Sequence, residues 1–183
     1  MLLKQGEKMA FGGILCALSA LLVLGAGLFP TMTYALPAVS GLLLIAAVLE
    51  LGKRWAFFCY IAVSLLAFFF GTDKEAAAVF ILFFGYYPIL KALLDPIRSR
   101  PVQWLLKLLI FNAAAAAAFL VSVFLLGVPV ESFALAGLSP QWVLAALLLA
   151  GNLVFVLYDK AAGGVVLLYC ARIRPAMRRI FRK

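Results

Sequence analysis

The chain has 183 residues, of which 67% are hydrophobic and only 13% are charged, and its mean hydropathy is +1.16. A soluble domain of this size has too little interior to hide so much apolar surface, whereas a bilayer accepts helices of roughly 20 apolar residues. The composition therefore excludes a soluble globular protein and predicts one integral membrane domain over residues 1–183.

Apolar segments follow one another along the chain, each long enough to form a helix. Residues 9–49 hold no charged residue, and Pro30 and Pro37 divide this run in two. The later segments are separated by charged turns, and the last one runs on through "YDKAAGGVVLLYC". The sequence predicts an all-α bundle of six transmembrane helices, over residues 9–29, 34–51, 55–71, 76–94, 102–126 and 141–170.

The basic residues fall on one side of this arrangement. They precede the first segment, occupy the turns after the second and fourth segments, and form the tail "RIRPAMRRIFRK". The turns expected on the other side hold Lys74 beside two acids, and Glu131. Because short loops rich in Lys and Arg stay on the cytoplasmic side, we expect a multi-pass protein of a bacterial-type cell membrane with both termini in the cytoplasm.

The chain has a net charge of +9. A strong positive charge is also common in proteins that bind nucleic acid. Here its carriers lie in short turns beside the membrane, where anionic lipid headgroups are the nearest partners. We therefore expect membrane lipids as partners and no nucleic acid.

Residues that carry enzyme chemistry are scarce. The chain has no histidine, no paired cysteines and no glycine-rich phosphate-binding motif, so we expect no enzyme, no metal site and no cofactor. The three cysteines lie in separate apolar segments and are expected to act as small apolar side chains.

A few polar residues interrupt the apolar segments, and such residues are costly in a bilayer and tend to be functional. We expect them to line a shared interior space that binds a substrate; they are Tyr34, Tyr86, Tyr87, Asn112 and Asn152. An equal alternative for the two asparagines is a hydrogen bond between adjacent helices. For the tyrosines at 86 and 87 the alternative is core packing. Pro88 is expected to kink the fourth helix, because it removes the backbone bond to residue 84.

Small residues recur on the first helix at a spacing of four. One set is Gly12, Cys16 and Ala20, and the other is Gly13 and Ala17. Such a face lets another helix approach closely. We consider two uses for it, packing inside the bundle and contact with a separate membrane partner.

The six apolar segments, the cytoplasmic termini and the first helix "FGGILCALSALLVL" resemble the substrate-binding subunit of energy-coupling-factor vitamin transporters. The resemblance implies a cavity that opens outward, is capped by the loop after the first helix, and binds a vitamin-like small molecule. It also implies that small residues of the first helix contact a transmembrane coupling subunit, which rides on ATPases. In that family two alanines separated by three residues make this contact. The resemblance implies that Gly13 and Ala17 take their place here, with Gly12, Cys16 and Ala20 beside them.

Two other functions stay open. A non-catalytic membrane scaffold has the same composition and needs no cavity. A small self-sufficient transporter is the second, although few polar groups are present to line a path.

Asp159 and Lys160 stand together in an otherwise apolar stretch. Twenty positions of helix before them cover ~30 Å, so we expect both at the cytoplasmic boundary, with the helix continuing past it or bending at Gly163 and Gly164. Adjacent helical residues diverge, so Asp159 is expected to serve a structural role by turning inward to a basic residue. The candidates are Lys53, Arg54, Lys91 and Lys107; the equal alternative is a solvated acid.

Overall fold

A computed structural model describes residues 5–120, 123–124, 129 and 139–175. The end of the predicted fifth segment, Glu131 and most of the basic tail lie outside the described residues. Within them the chain is all-α, which confirms the helical part of the predicted fold class; the bundle of six spans and its topology stay predictions. The α-helices are α1 (Gln5–Gly25), α2 (Ala35–Glu50), α3 (Lys53–Phe70), α4 (Lys74–Val79), α5 (Tyr87–Leu94), α6 (Arg100–Leu120) and α7 (Pro140–Leu168).

Among the described residues, five helical segments are long and apolar enough to cross a membrane. They are Gly6–Leu28, Lys53–Phe70, Lys74–Leu94, Arg100–Leu120 and Gln141–Ile173. The remaining predicted segment, α2, has 16 residues and reaches ~24 Å, less than the ~30 Å of a hydrocarbon core. The chain thus has the helix lengths and the hydropathy of a multi-pass membrane protein. The side of the membrane on which each turn lies stays a prediction.

The turn between α2 and α3 depends on a glycine. Only Leu51 and Gly52 separate the two helices, and Gly52 has a φ of 92°, a conformation that L side chains rarely adopt. The N–H groups of both turn residues return to the carbonyl of Ala47, at 2.9 and 3.2 Å. These bonds end α2 and reverse the chain directly into α3.

The segment predicted over residues 76–94 is broken near its middle, as expected from Pro88. α4 passes into a π-helical turn, Phe80–Phe84, and α5 begins at Tyr87 with the proline in its first turn. The Gly85 N–H donates to the carbonyl of Phe80, five residues earlier, at 2.7 Å. This helical turn therefore holds one residue more than an α-helical turn. A proline is tolerated in a first turn because no helical partner is needed for its nitrogen.

The contacts of the chain divide it into two compact units. The first unit contains the residues up to Pro96 and those from Ala161 on, and the second contains Ile97–Lys160. α7 contributes its first part to the second unit and its last part to the first. The single domain predicted from composition stays a prediction.

In the first unit α1, α2 and α3 pack around a core of small and medium side chains. Ala20, Val23, Leu44, Val63 and Phe80 belong to it, and Leu44, Val63 and Phe80 are fully buried. Apart from Phe80 these side chains are short, so the helices approach closely.

Two buried serines join α1 to α2. Ser40 Oγ donates to the Ser19 carbonyl at 3.0 Å, and Ser19 Oγ donates to the Ser40 carbonyl at 3.5 Å. Each hydroxyl is satisfied by the backbone of the other helix, as a buried polar group requires. The pair therefore holds the two helices at a defined register.

Candidate functional site

The segment after α1 lies against the turn before α4, and the contact between residues 33–34 and 73–75 is called the cap. Thr33 Oγ1 donates a hydrogen bond of 2.9 Å to Asp73 Oδ2. Asp73 Oδ1 accepts one of 3.0 Å from the Ala76 N–H and so caps the N-terminus of α4. The Tyr34 hydroxyl donates to the Glu75 carboxylate. Both bonds across the cap have a charged acceptor, which makes them the stronger class of hydrogen bond.

A cleft of about 440 Å³ lies beside the cap. A Cβ on Gly27 would lie 1.8 Å from Thr72 Oγ1, so only glycine allows the two loops to approach this closely. Lys74 Nζ donates to the Phe68 carbonyl at 2.9 Å, which orients its ammonium. The cleft is lined by Ala26, Gly27, Thr33, Thr72, Asp73 and Lys74. Small-molecule sites have volumes of roughly 300–1,000 Å³, and the volume of this open cleft lies within that range.

The hydrogen bond to Glu75 raises the pKa of Tyr34 above its ordinary value of 10.0. Partial burial and the negative charges of Glu75 and Asp73 act in the same direction. Ionising the phenol would break the bond and set two negative charges side by side. The Tyr34 bond is therefore present at neutral pH, and it is lost only as the pH rises through the raised pKa.

The three tyrosines predicted to bind a substrate lie in different surroundings. Tyr34 belongs to the cap and is 58% exposed. Tyr86 and Tyr87 lie at the break before α5, where Tyr86 is partly buried and Tyr87 is 1% exposed. The burial of Tyr87 matches the core-packing alternative.

The two asparagines predicted to bind a substrate lie together in the second unit, where they join α6 to α7. Asn112 Nδ2 donates to Asn152 Oδ1 at 3.0 Å, and Asn152 Nδ2 donates to Asn112 Oδ1 at the same distance. Each Nδ2 also donates, at 2.7 Å, to a carbonyl of its own helix, that of Leu108 or Leu148. All four amide hydrogens are thus engaged, which is the geometry of the interhelical alternative.

Further contacts extend this pairing along α6 and α7. The rings of Phe111 and Phe155 stack with centroids 4.7 Å apart and planes at 23°. A Cβ on Gly151 would meet the Phe111 ring at 3.4 Å, an ordinary contact distance, so this ring packs directly against α7 at that position. Residues later in α6 contact residues earlier in α7, so the two helices run antiparallel.

A buried ion pair continues the same interface. Lys107 Nζ lies 3.0 Å from Asp159 Oδ1, and the two residues are 2% and 6% exposed. The ammonium also lies 5.5 Å from the centre of the Trp104 ring, within range of a cation–π contact. Lys160 is exposed. Of the four candidate partners of Asp159, the structure places Lys107 beside it.

The other three candidates lie elsewhere. Lys53 and Arg54 are exposed in the first turn of α3. Lys91 Nζ lies 3.4 Å from Oδ2 of Asp95, the residue one helical turn after it in the sequence.

A second buried acid is not evident from the sequence pattern. Glu50, the last residue of α2, is 4% exposed, and its Oε1 lies 3.2 Å from Arg174 Nε at an angle outside hydrogen-bond geometry. The one signal in the sequence is an isolated acid between two leucines, Leu49 and Leu51, in a chain whose tail is rich in arginine. The pair joins the end of α2 to the end of the helix that continues from α7 through the π-helical segment Tyr169–Ile173.

α7 is longer than a membrane span needs. The apolar segment Gln141–Ile173 has 33 residues, or ~50 Å, so it continues well past one hydrocarbon thickness. It passes through Gly163 and Gly164 as continuous helix, so the chain does not turn there, and a bend of the helix axis at these glycines stays a prediction. The depth of Asp159 in the bilayer stays a prediction.

The two sets of small residues on α1 face different ways. Gly12 and Ala20 are buried, and Cys16 packs against the core cluster that contains Cys59. This set therefore serves packing inside the first unit. Gly13 and Ala17 are exposed, and a Cβ on Gly13 would meet no atom within 4 Å.

Comparison of the chain with protein-family models, with curated proteins and with solved structures gives no match. Over the described residues, the geometry and composition establish an all-helical structure with five to six long apolar helices. The features that bear on a more specific function are the cap, the cleft and the exposed face of α1.

Proposed function

We propose that the chain is a membrane-embedded subunit that binds a vitamin-like small molecule for uptake and depends on a separate energising module. The hydrogen bonds of the cap are the main observation in support of this proposal. In the transporter subunits that the sequence resembles, the loop after the first helix closes a cavity that opens outward. Here the same loop is held by Asp73 and Glu75, beside a cleft large enough for a small molecule.

The groups around the cleft define the class of ligand. Thr33 and Thr72 offer hydroxyls, Asp73 a carboxylate, and Lys74 an ammonium whose bond to Phe68 uses one of its three hydrogens. A ligand with both donors and acceptors matches these groups. The hydrogen bonds of the cap break and reform when such a ligand enters or leaves.

The exposed face of α1 supports the dependence on a partner. Gly13 and Ala17 leave a flat strip on which another helix packs closely, and Met9 and Leu21, 62% and 65% exposed, extend it by a turn at each end. The partner we propose is a transmembrane coupling subunit associated with ATPases, since the sequence contains no nucleotide-binding motif of its own.

Native mass spectrometry of the protein, extracted gently from the membranes of its native host, tests the binding function. We expect a species heavier than the 19.8 kDa chain by the mass of one small molecule. Joint replacement of Thr33→Val and Tyr34→Phe removes both donors of the cap. We expect this double variant to bind the molecule about tenfold more weakly, which corresponds to ~1.4 kcal/mol.

The matched control is Thr31→Val, an exposed threonine in the same segment. It is expected to bind as the parent does. A parent protein that carries no small molecule, or a double variant that binds as tightly as the parent, would contradict the proposal.

A membrane scaffold is the second candidate, and the asparagine pair favours it. Asn112 and Asn152 engage all their amide hydrogens with each other and with their own helices, so they have no hydrogen left to donate to a ligand. On this hypothesis the polar residues of the spans serve helix pairing alone. A scaffold brings no small molecule through purification, so the same spectrum separates the two functions.

A further inference from the structure

A groove runs along the surface of the first unit between α1 and α3. Its volume is about 270 Å³, and small residues form its floor. α1 contributes Gly12, Gly13 and Cys16, and α3 contributes Cys59 and Ala62. The side of α1 at Gly13 is open, since a Cβ there would meet no atom within 4 Å. The two helices therefore leave a channel where larger side chains would have closed the surface.

Larger apolar side chains form the rim of the groove. Met9, Trp55 and Phe58 line it and stay largely exposed, at 62%, 44% and 64%. These residues belong to the two candidate membrane-spanning segments that flank the groove, so lipid is the medium that the groove meets. An occupant must be apolar along the length of the groove.

One end of the groove is basic. Lys8 lines it, and Lys53 and Arg54, both exposed, immediately precede Trp55 on the rim. With Glu7, which precedes Lys8, these residues carry three positive charges and one negative, a net charge of +2. An occupant with a negative group at one end and an apolar remainder matches this distribution of charge.

The length of the groove also matches one leaflet. From Lys8 to Cys16 the axis of α1 advances ~12 Å, and half of a ~30 Å hydrocarbon core is ~15 Å. Trp55 stands at the basic end, where aromatic residues favour the boundary between headgroups and hydrocarbon. The groove thus runs from the level of the headgroups towards the middle of the membrane.

We propose that this groove binds an anionic phospholipid, with one acyl chain over Gly12 and Gly13 and the phosphate at the basic end. Lys53 and Arg54 attract the headgroup, and Trp55 and Phe58 hold the chain between them. The site adds a lipid ligand to the protein and does not rest on the small-molecule uptake proposed above. The site is expected to favour phosphatidylglycerol over a zwitterionic lipid, because a polybasic surface attracts the anionic headgroup.

A partner helix is the competing occupant, since Gly13 also belongs to the exposed face of α1. The floor of small residues is only about two turns long, and Phe58 and Met9 stand on either side of it. The charge distribution therefore favours the lipid in the groove, and the coupling subunit proposed above then contacts α1 through Ala17 and Leu21, which are exposed and do not line the groove.

Quenching of Trp55 fluorescence by brominated lipids tests the site in the full-length protein. Trp104→Phe and Trp142→Phe leave Trp55 as the only tryptophan of the three. The protein is reconstituted in phosphatidylcholine vesicles that contain a small fraction of dibrominated phosphatidylglycerol or dibrominated phosphatidylcholine. We expect half-maximal quenching at about tenfold lower mole fraction for the anionic lipid, in line with the attraction of a few basic residues.

Two variants and one control connect the quenching to the groove. Gly13→Leu fills the floor and is expected to remove the preference, as is the joint change of Lys53→Gln and Arg54→Gln. Gly164→Leu is the matched control, because this exposed glycine of α7 is equally open and a Cβ there would also meet no atom within 4 Å. It is expected to quench as the parent does, and thermal melting of each variant verifies that it is folded.

Equal quenching by both lipids in the parent would overturn the proposal, as would a Gly13→Leu variant that keeps the full preference. A copurifying membrane protein that shields Trp55 from both lipids, and is released by Gly13→Leu, would assign the groove to a partner helix instead.

Discussion

Replacing Asp159 by alanine is expected to lower the free energy of unfolding by about 3–5 kcal/mol, because it leaves the Lys107 ammonium buried without its counter-charge. Lys107 is 2% exposed and lies 3.0 Å from the carboxylate. Water therefore has little access to the charge that remains. The measurement is thermal or denaturant unfolding of the solubilised protein, followed by the loss of helical signal.

The adjacent residue supplies the control. Lys160→Ala also removes a charge from α7, but Lys160 is exposed, so we expect a change within about 0.5 kcal/mol. Joint replacement of Lys107→Met and Asp159→Leu removes both buried charges and is expected to recover most of the stability. An Asp159→Ala variant as stable as the parent would show that the pair does not contribute to stability.

Arg174→Ala is expected to cost about 2–3 kcal/mol, since it leaves the Glu50 carboxylate buried at the end of α2. The effect is smaller than at Asp159 because the Arg174 side chain is 35% exposed, so water already reaches this side of the pair. The same unfolding measurement applies. Loss of the pair is also expected to make the helical end around Arg174 more accessible to proteolysis, because the pair joins it to α2.

Arg172→Ala is the matched control for this prediction. It removes the same kind of side chain two residues away, from an exposed position. Equal effects of the two arginine variants would indicate that Arg174 acts through its general positive charge and not through Glu50.

The helices themselves were predictable from the sequence, because apolar runs between charged turns are long and unambiguous. A helix boundary before α5 lies where Pro88 predicts a kink, since a proline within a helix removes a backbone bond whatever surrounds it; the kink itself stays a prediction. α2 is the exception in length. Its limits are a 3-10 turn on one side and the turn at Gly52 on the other, and neither changes the hydropathy of the segment.

The pairing of charged and polar residues was less predictable, because it depends on the register between helices. Lys107 and Asn112 are five residues apart on α6, whereas their partners Asp159 and Asn152 are seven apart on α7. Equal spacing would have marked the pairs in the sequence, and this unequal spacing does not. Four basic residues were therefore equal candidates for Asp159.

The cap and the two faces of α1 also depend on tertiary structure. Nothing in the order of residues shows that Thr33 and Tyr34 meet acids some 40 positions later, because both loops read as ordinary turns. The four-residue spacing indicated small faces on α1 correctly. It could not show that Gly12 is buried while Gly13 is open. Adjacent helical positions point in different directions, and the sequence does not say which direction faces the other helices.

The side of the membrane on which the cap lies is the most direct test of the proposed uptake, since a subunit for uptake must bind its ligand from outside. Lys74→Cys marks the turn beside the cap, and Ser99→Cys marks the turn after α5; both positions are exposed. Each is introduced into a chain whose three native cysteines are replaced by alanine. The cells are then treated with a membrane-impermeant maleimide. We expect Lys74→Cys to react in intact cells and Ser99→Cys to react only after permeabilisation, whereas the reverse pattern would place the cleft in the cytoplasm and contradict uptake through it.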